Sequence, residues 1–146
     1  MRNNIKITLK QSVILLSIGI YSVSLTQDCY CVTDSCGNSF MALIMGIVGL
    51  VFGGANLTWL ANPILFISWS LWKKNTQKSM LASGCALIFM ISFLFFKQIV
   101  SDEAGNYSNI VSYKLGYWLW LLSALTMFIG AWIIRLQGGA GNERGI

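Results

Sequence analysis

The sequence predicts an all-α integral membrane protein with four transmembrane helices in an up-down bundle. Three observations predict it. Apolar residues make up 55% of the 146-residue chain and charged residues only 10%, against roughly 25% charged in ordinary soluble domains. The apolar residues gather into runs of membrane-crossing length. The basic residues gather between alternate runs. A soluble domain of this size has too little interior to hide so much apolar surface, so lipid is its natural solvent. The length fits one domain, residues 1–137, followed by a Gly-rich tail at 138–146 read as flexible and cytoplasmic.

The first span is expected over residues 11–27, after Arg2, Lys6 and Lys10. It falls slightly short of a hydrocarbon core of about 30 Å, which places Lys10 and Gln27 near the interfaces. A basic start, an apolar centre and the small residues Ser22 and Ser24 would also suit a cleaved signal peptide. Keeping the run gives an even number of spans, as the basic tail requires.

The next apolar stretch is too long for one upright helix. It reads as a span over 40–61, kinked or ended at Asn62-Pro63, with an interfacial extension over 64–72. Proline removes a backbone donor and clashes with the preceding turn. A single long kinked helix is the alternative. The third and fourth spans are expected over 79–97 and 114–135. Tyr113, Tyr117, Trp118 and Trp120 at one end of the fourth, with Trp132 at the other, fit the aromatic belts of the two interfaces.

Loop charges set the orientation. Arg2, Lys6, Lys10, Lys73, Lys74, Lys78, Arg135 and Arg144 fall on one side, which is eight of the ten basic residues. The other two loops hold Asp28, Asp34, Asp102 and Glu103 and no Lys or Arg. By the positive-inside rule both termini are cytoplasmic, and a bacterial inner or plasma membrane is the expected location. The net charge of +5 therefore reads as topology. No basic face with interleaved aromatics suits a nucleic acid.

Helices in lipid associate through small residues and close backbone approach. Ala42, Gly46, Gly49 and Gly53 form such a stripe, ending at Asn56. It marks the second helix as the central one and as the helix-packing element of the bundle or of a homo-oligomer. The first helix offers Ser12, Leu15, Gly19, Ser22 and Thr26, and the fourth Ser123, Thr126 and Gly130. Asn56, Thr58 and Asn62 are candidates for a ligand or polar contact, because an amide in hydrocarbon needs a partner and broken helices line binding sites in transporters.

Cys29, Cys31 and Cys36 lie in the first external loop, where the compartment is oxidising. A Cys29–Cys36 or Cys31–Cys36 bridge would leave one thiol for redox chemistry or for another chain. The CxC spacing differs from the CxxC at a helix end in the disulfide-generating quinone reductases. Three thiols without histidine make a poor zinc set. Cys85 reads as an apolar filler.

The absences narrow the function. The chain has no histidine, which removes His-based proton shuttling and Ser-His-Asp chemistry. No charged residue falls in the middle of an expected span, where proton-coupled transporters and the small multidrug exporters need a carboxylate. The Gly-rich and Phe-pair signatures of the small fluoride channels are missing too. Asn106-Tyr107-Ser108 is formally a glycosylation sequon. Neither a cofactor nor a metal is expected. The reading is a multi-pass protein acting non-enzymatically through helix or loop contacts, as an accessory subunit, assembly factor or immunity-like protein. Its partners would be the bilayer, another membrane protein or a second copy. Two other classes stay open: a small channel or carrier for a weakly polar solute, and a thiol-disulfide oxidoreductase using the loop cysteines.

Overall fold

The computed structural model describes residues 2–33, 35–100 and 105–139, with side chains from 9 to 137 of these. Asp34, Asp102, Glu103, Arg144 and most of the Gly-rich tail, with its expected flexibility, lie outside the described residues. So do the side chains of Arg2 and Lys6.

The chain is mostly helical and also carries a four-stranded antiparallel sheet. Helix α1 (Arg2–Ser24) leads into a hairpin of β1 (Asp28–Val32) and β2 (Cys36–Asn38). Helix α2 (Ser39–Gly49) follows at once, because the Asn38 side chain caps it by accepting from the Phe40 amide at 2.9 Å. Two 3-10 segments, Leu50–Phe52 and Gly54–Leu60, then lead into α3 (Ala61–Leu71). Helix α4 (Thr76–Ser92) is capped by Asn75, which accepts from the Lys78 amide at 3.0 Å. It runs through a 3-10 turn at Phe93–Phe95 into β3 (Gln98–Val100), β4 (Tyr107–Tyr113) and finally α5 (Leu115–Gly139).

The sheet joins the two loops that the sequence sets apart by their lack of Lys and Arg. Its order is β2-β1-β4-β3, with Tyr30 opposite Tyr113 and Ile99 opposite Ser108. The strands connect the end of α1 to α2 and the end of α4 to α5, so the whole sheet caps one end of the helices. The expected all-helical class is thus too simple. Backbone groups in two short loops find partners in each other rather than in water.

The second span needs a larger correction. The break is at Gly53 and Gly54, whose φ values are +67° and +58°, and not at Asn62-Pro63. Gly53, at ψ −154°, lies in a region that is essentially closed to other residues, where a side chain costs about 1–3 kcal/mol. Pro63 sits in the first turn of α3, where a missing N–H is best tolerated. The segment Gly54–Leu60 folds back on α2, and the Trp59 indole donates to the Leu43 carbonyl at 2.7 Å. Helix α2 starts at the sheet. Past its other end, the Phe52 ring lies against Gly105 in the β3–β4 connection. Helix α2 therefore lies across the sheet end of the molecule and is not its central helix.

Helices α1, α3, α4 and α5 form the packed body. Its core holds Leu65, Trp72, Ala86, Met90, Ala124, Met127 and Ala131. Polar side chains tie these helices at close approach. Ser68 and Ser79 each donate to the other's carbonyl, at 2.9 and 2.8 Å. Ser17 donates to the Ser123 carbonyl at 2.8 Å and receives the Trp69 indole N–H at 3.0 Å. The Trp72 indole donates to the Lys10 carbonyl at 2.7 Å. Gly130 presses against Val13. The face expected to pack α1 points outward instead, because Leu15 is 68% exposed and Gly19 has no neighbour. The buried face carries Ser17, Tyr21 and Ser24. The aromatic belt is split: Trp118 and Trp132 face outward, while Tyr117 is fully buried with its hydroxyl on the Met90 carbonyl at 2.9 Å.

Two helical stretches, Thr76–Phe95 and Leu115–Gln137, are long and apolar enough to cross a membrane. Leu9–Ser24 and Ser39–Phe52 are apolar but shorter.

Candidate functional site

A cavity of about 670 Å³ opens between α2, the sheet and the sheet end of the helices. This lies within the range of small-ligand pockets, about 300–1,000 Å³. One wall is the folded-back pair of α2 and Gly54–Leu60. Cys29 and Tyr30 of β1 and Ile99 and Val100 of β3 form a second wall. Tyr21, Asn62, Phe93 and Trp120 close it toward the helical body.

Glycine spacing brings the first wall together. Any side chain at Gly46 would collide with the Trp59 ring, and a Cβ at Gly49 would lie 3.2 Å from the Asn56 side chain. The small stripe thus seats Trp59 and Asn56 within one hairpin. Ala42 also lines the cavity. Gly53 stands apart from this seam, since a Cβ there would meet nothing within 4 Å. Its positive φ, not close packing, calls for glycine.

Most polar atoms in the lining are engaged. The Asn62 oxygen accepts from the Tyr21 hydroxyl at 3.0 Å and the Trp120 indole at 2.8 Å, while its nitrogen donates to the Trp59 carbonyl at 3.1 Å. The Thr58 hydroxyl donates to the Ala55 carbonyl at 2.7 Å, and the Ser24 hydroxyl to the Tyr21 carbonyl at 2.7 Å. Of the three polar candidates, Asn62 and Thr58 are therefore internal ties. Asn56 differs: its backbone N–H donates to the Gly53 carbonyl at 3.2 Å, but its side-chain amide has no hydrogen-bond partner among the described residues.

Three more groups are left over, the Tyr30 hydroxyl and two others. Ser39, which the sequence did not single out, is only 8% exposed and its hydroxyl has no partner. Cys29 is a free thiol, because the bridge joins Cys31 to Cys36. Those two residues are direct neighbours across β1 and β2, so the bridge closes the hairpin. Burial pushes the Cys29 thiol up to about 11, and the Ser39 side chain beside it acts in the opposite direction. Ser39 sits beside the thiol but outside hydrogen-bond geometry. Burial, then the charge Cys29 would carry, pushes the Tyr30 phenol up to about 12. Both groups are neutral near pH 7.

The lining thus contains no charged side chain among the described residues. No group of three His, Cys, Asp or Glu among them could hold a metal ion. A neutral thiol is a weak nucleophile, so the cavity is suited to binding more than to acid–base or thiol chemistry. No protein family, curated protein or solved structure matches the chain.

Proposed function

We propose that this is a multi-pass membrane protein that holds a small, uncharged, largely apolar molecule in the cavity beside α2, without transforming it. The observation that carries this reading is the cavity itself, apolar in most of its lining and free of charge among the described residues. The filled helical core below it, with Trp72, Leu65, Met90 and Met127 fully buried, favours holding or handing over a molecule above conducting one. This places the chain nearer a carrier or ligand-binding accessory protein than a channel.

Four passes remain the proposed topology, with α3 (Ala61–Leu71) as the second. It runs from the level of Tyr21 and Trp120, which meet Asn62, to the level of Lys10, whose carbonyl meets Trp72, a reach of about 16 Å. Gly54–Leu60 lies along α2 at the sheet end. Helix α2, also of 11 residues, is equally short. Its outward side chains include Phe40, Met41, Ile44 and Ile47, which suits the outer leaflet of a membrane. The sheet and its disulfide would face the oxidising side, with Lys73, Lys74 and Lys78 opposite.

Saturable binding of a neutral, environment-sensitive apolar fluorophore to the full chain in nanodiscs tests the reading. Ala42→Phe, which fills the cavity from α2, should weaken binding by about tenfold or more, a loss of about 1.4 kcal/mol. Absence of saturable binding, or indifference to Ala42→Phe, would reject a ligand cavity.

A further inference from the structure

Within the cavity reading, on which this inference rests, one polar group of the lining is left for a ligand. The Asn56 side chain lines the cavity and makes no hydrogen bond among the described residues. It is not sealed in protein. Among the described residues the sealed polar side-chain atom that lacks a partner is the Ser39 hydroxyl, so the Asn56 amide keeps open surface. Its carbon and oxygen lie 3.2 and 3.3 Å from the position that a Gly49 Cβ would take, and Gly49 lines the cavity too. The amide is thus held at the hairpin wall with its N–H donors and its oxygen uncommitted.

The rest of the lining selects what can meet it. Every wall contributes aromatic rings: Phe52 and Trp59 from the hairpin, Tyr30 from the sheet, and Tyr21, Phe93 and Trp120 from the helical body. Tyr30 and Phe93 already meet edge to face, with ring centroids 5.6 Å apart. Rings gain from edge-on and offset contacts beyond the area they bury, and a rigid ring gives up less freedom on binding than a flexible chain. No charged side chain lines the cavity among the described residues, so an anion would be desolvated without a countercharge. The group that satisfies a lone amide on both sides is a second amide. The Asn56 N–H donates to its carbonyl, and the Asn56 oxygen accepts its N–H. We infer that the cavity takes a neutral, planar ring carrying a carboxamide, which pairs with Asn56 through two hydrogen bonds.

Three ligands of similar shape test this. 2-Naphthamide carries ring and amide, 2-naphthoate ring and charge, and 2-ethylnaphthalene the ring alone. Each competes with the apolar fluorophore on the full chain in nanodiscs, with affinities corrected for partition into protein-free nanodiscs. Naphthamide should bind about tenfold or more tightly than ethylnaphthalene, the effect of two hydrogen bonds, and naphthoate should bind most weakly. Asn56→Leu keeps the size of the side chain. It should bring naphthamide within about twofold of ethylnaphthalene and leave the ethylnaphthalene affinity within about twofold of its former value. Equal binding of naphthamide and either other ligand by the unsubstituted chain, or an undiminished naphthamide advantage in Asn56→Leu, would overturn the amide assignment and leave the cavity reading in place. If Asn56→Leu no longer holds the fluorophore, the order of the three ligands on the unsubstituted chain decides alone. Failure of the unsubstituted chain to bind the fluorophore ends both readings.

Discussion

The Asn62 side chain donates to the Trp59 carbonyl at 3.1 Å, the acceptor that an amide at position 63 would take in an α-helix and that Pro63 cannot serve. The same side chain accepts from Tyr21 of α1 and Trp120 of α5. One residue thus repairs the backbone at the start of α3 and fixes two neighbouring helices to it. Asn62→Leu should leave both donors and the carbonyl without partners and destabilise the protein by about 3 kcal/mol or more. Asn62→Asp should be intermediate, since it keeps an acceptor and loses the donor. Pro63→Ala should change stability by less than about 1 kcal/mol. Unfolding equilibria of the three variants in mixed micelles would check the order.

The hairpin of α2 and Gly54–Leu60 turns on two glycines. Gly53→Ala should cost about 1–3 kcal/mol and Gly54→Ala about 1–2 kcal/mol through their positive φ, although neither has a close neighbour. Gly46→Ala should act by another route, forcing the Trp59 ring away and weakening its bond to the Leu43 carbonyl. Its signature is a shifted tryptophan emission, which the Gly53 variant should lack.

These residues show where the sequence was legible. Long apolar runs mark α1, α4 and α5, but the run 40–61 is broken at Gly53 and Gly54, and among the described residues only two stretches are long and apolar enough to cross a membrane. The sheet is harder to see. Its strands are three to seven residues long, and β1 pairs across the chain with β4. The β-branched and aromatic content of Tyr107–Tyr113 is the longest local signal, with shorter ones at Tyr30, Val32, Ile99 and Val100. Small residues were misleading in two ways. Gly53 fits a packing stripe by spacing yet acts as a turn. In α1 the glycine and serines at 19, 22 and 12 face outward, while bulky Tyr21 is buried through its hydroxyl. Spacing records size but not backbone angle or hydrogen-bond partner. Ser39 was invisible for the same reason, since only the fold reveals a hydroxyl without a partner.

Mapping the labelled cysteines separates the two bridges that the loop spacing allows. Denaturing alkylation without reductant should label two of the four cysteines, Cys29 and Cys85, and reduction should expose Cys31 and Cys36. Peptide mapping that finds Cys29 bridged to Cys36 would contradict this pairing. Loss of the short-loop bridge by Cys31→Ser with Cys36→Ser should cost about 2 kcal/mol in the chain-entropy view.

The buried thiol gives a pH dependence of defined sign. Burial raises the Cys29 thiol in the folded protein to about 11, above the ordinary thiol value. Above that ordinary value this thiol binds fewer protons in the unfolded chain than in the folded one, so its contribution to stability falls as pH rises and levels off beyond about pH 11. Tyr30, raised to about 12, adds a further loss above about pH 10. Alkylation of native Cys29 should accelerate about tenfold per pH unit from 8 toward 11. Cys29→Ser should flatten the stability profile up to about pH 10 and leave the Tyr30 loss above it. A rate that plateaus near pH 8 would mean that the thiol is not sealed in the cavity.

Labelling from one side of the membrane distinguishes an α2 that lies across the sheet end from one that spans. The Phe52 ring lies against Gly105, so Val51, which is 86% exposed, belongs on the same side as Asn109 of β4. In a background lacking Cys29 and Cys85, Val51→Cys and Asn109→Cys should react with an impermeant maleimide added outside intact cells. Lys74→Cys should react only after permeabilisation. If residues 40–61 formed one continuous span, as the unbroken apolar run implies, residue 51 would sit near mid-bilayer and stay unlabelled from both sides. Labelling of Val51→Cys together with Asn109→Cys would place the Gly53 turn at the sheet end and exclude a continuous span over 40–61.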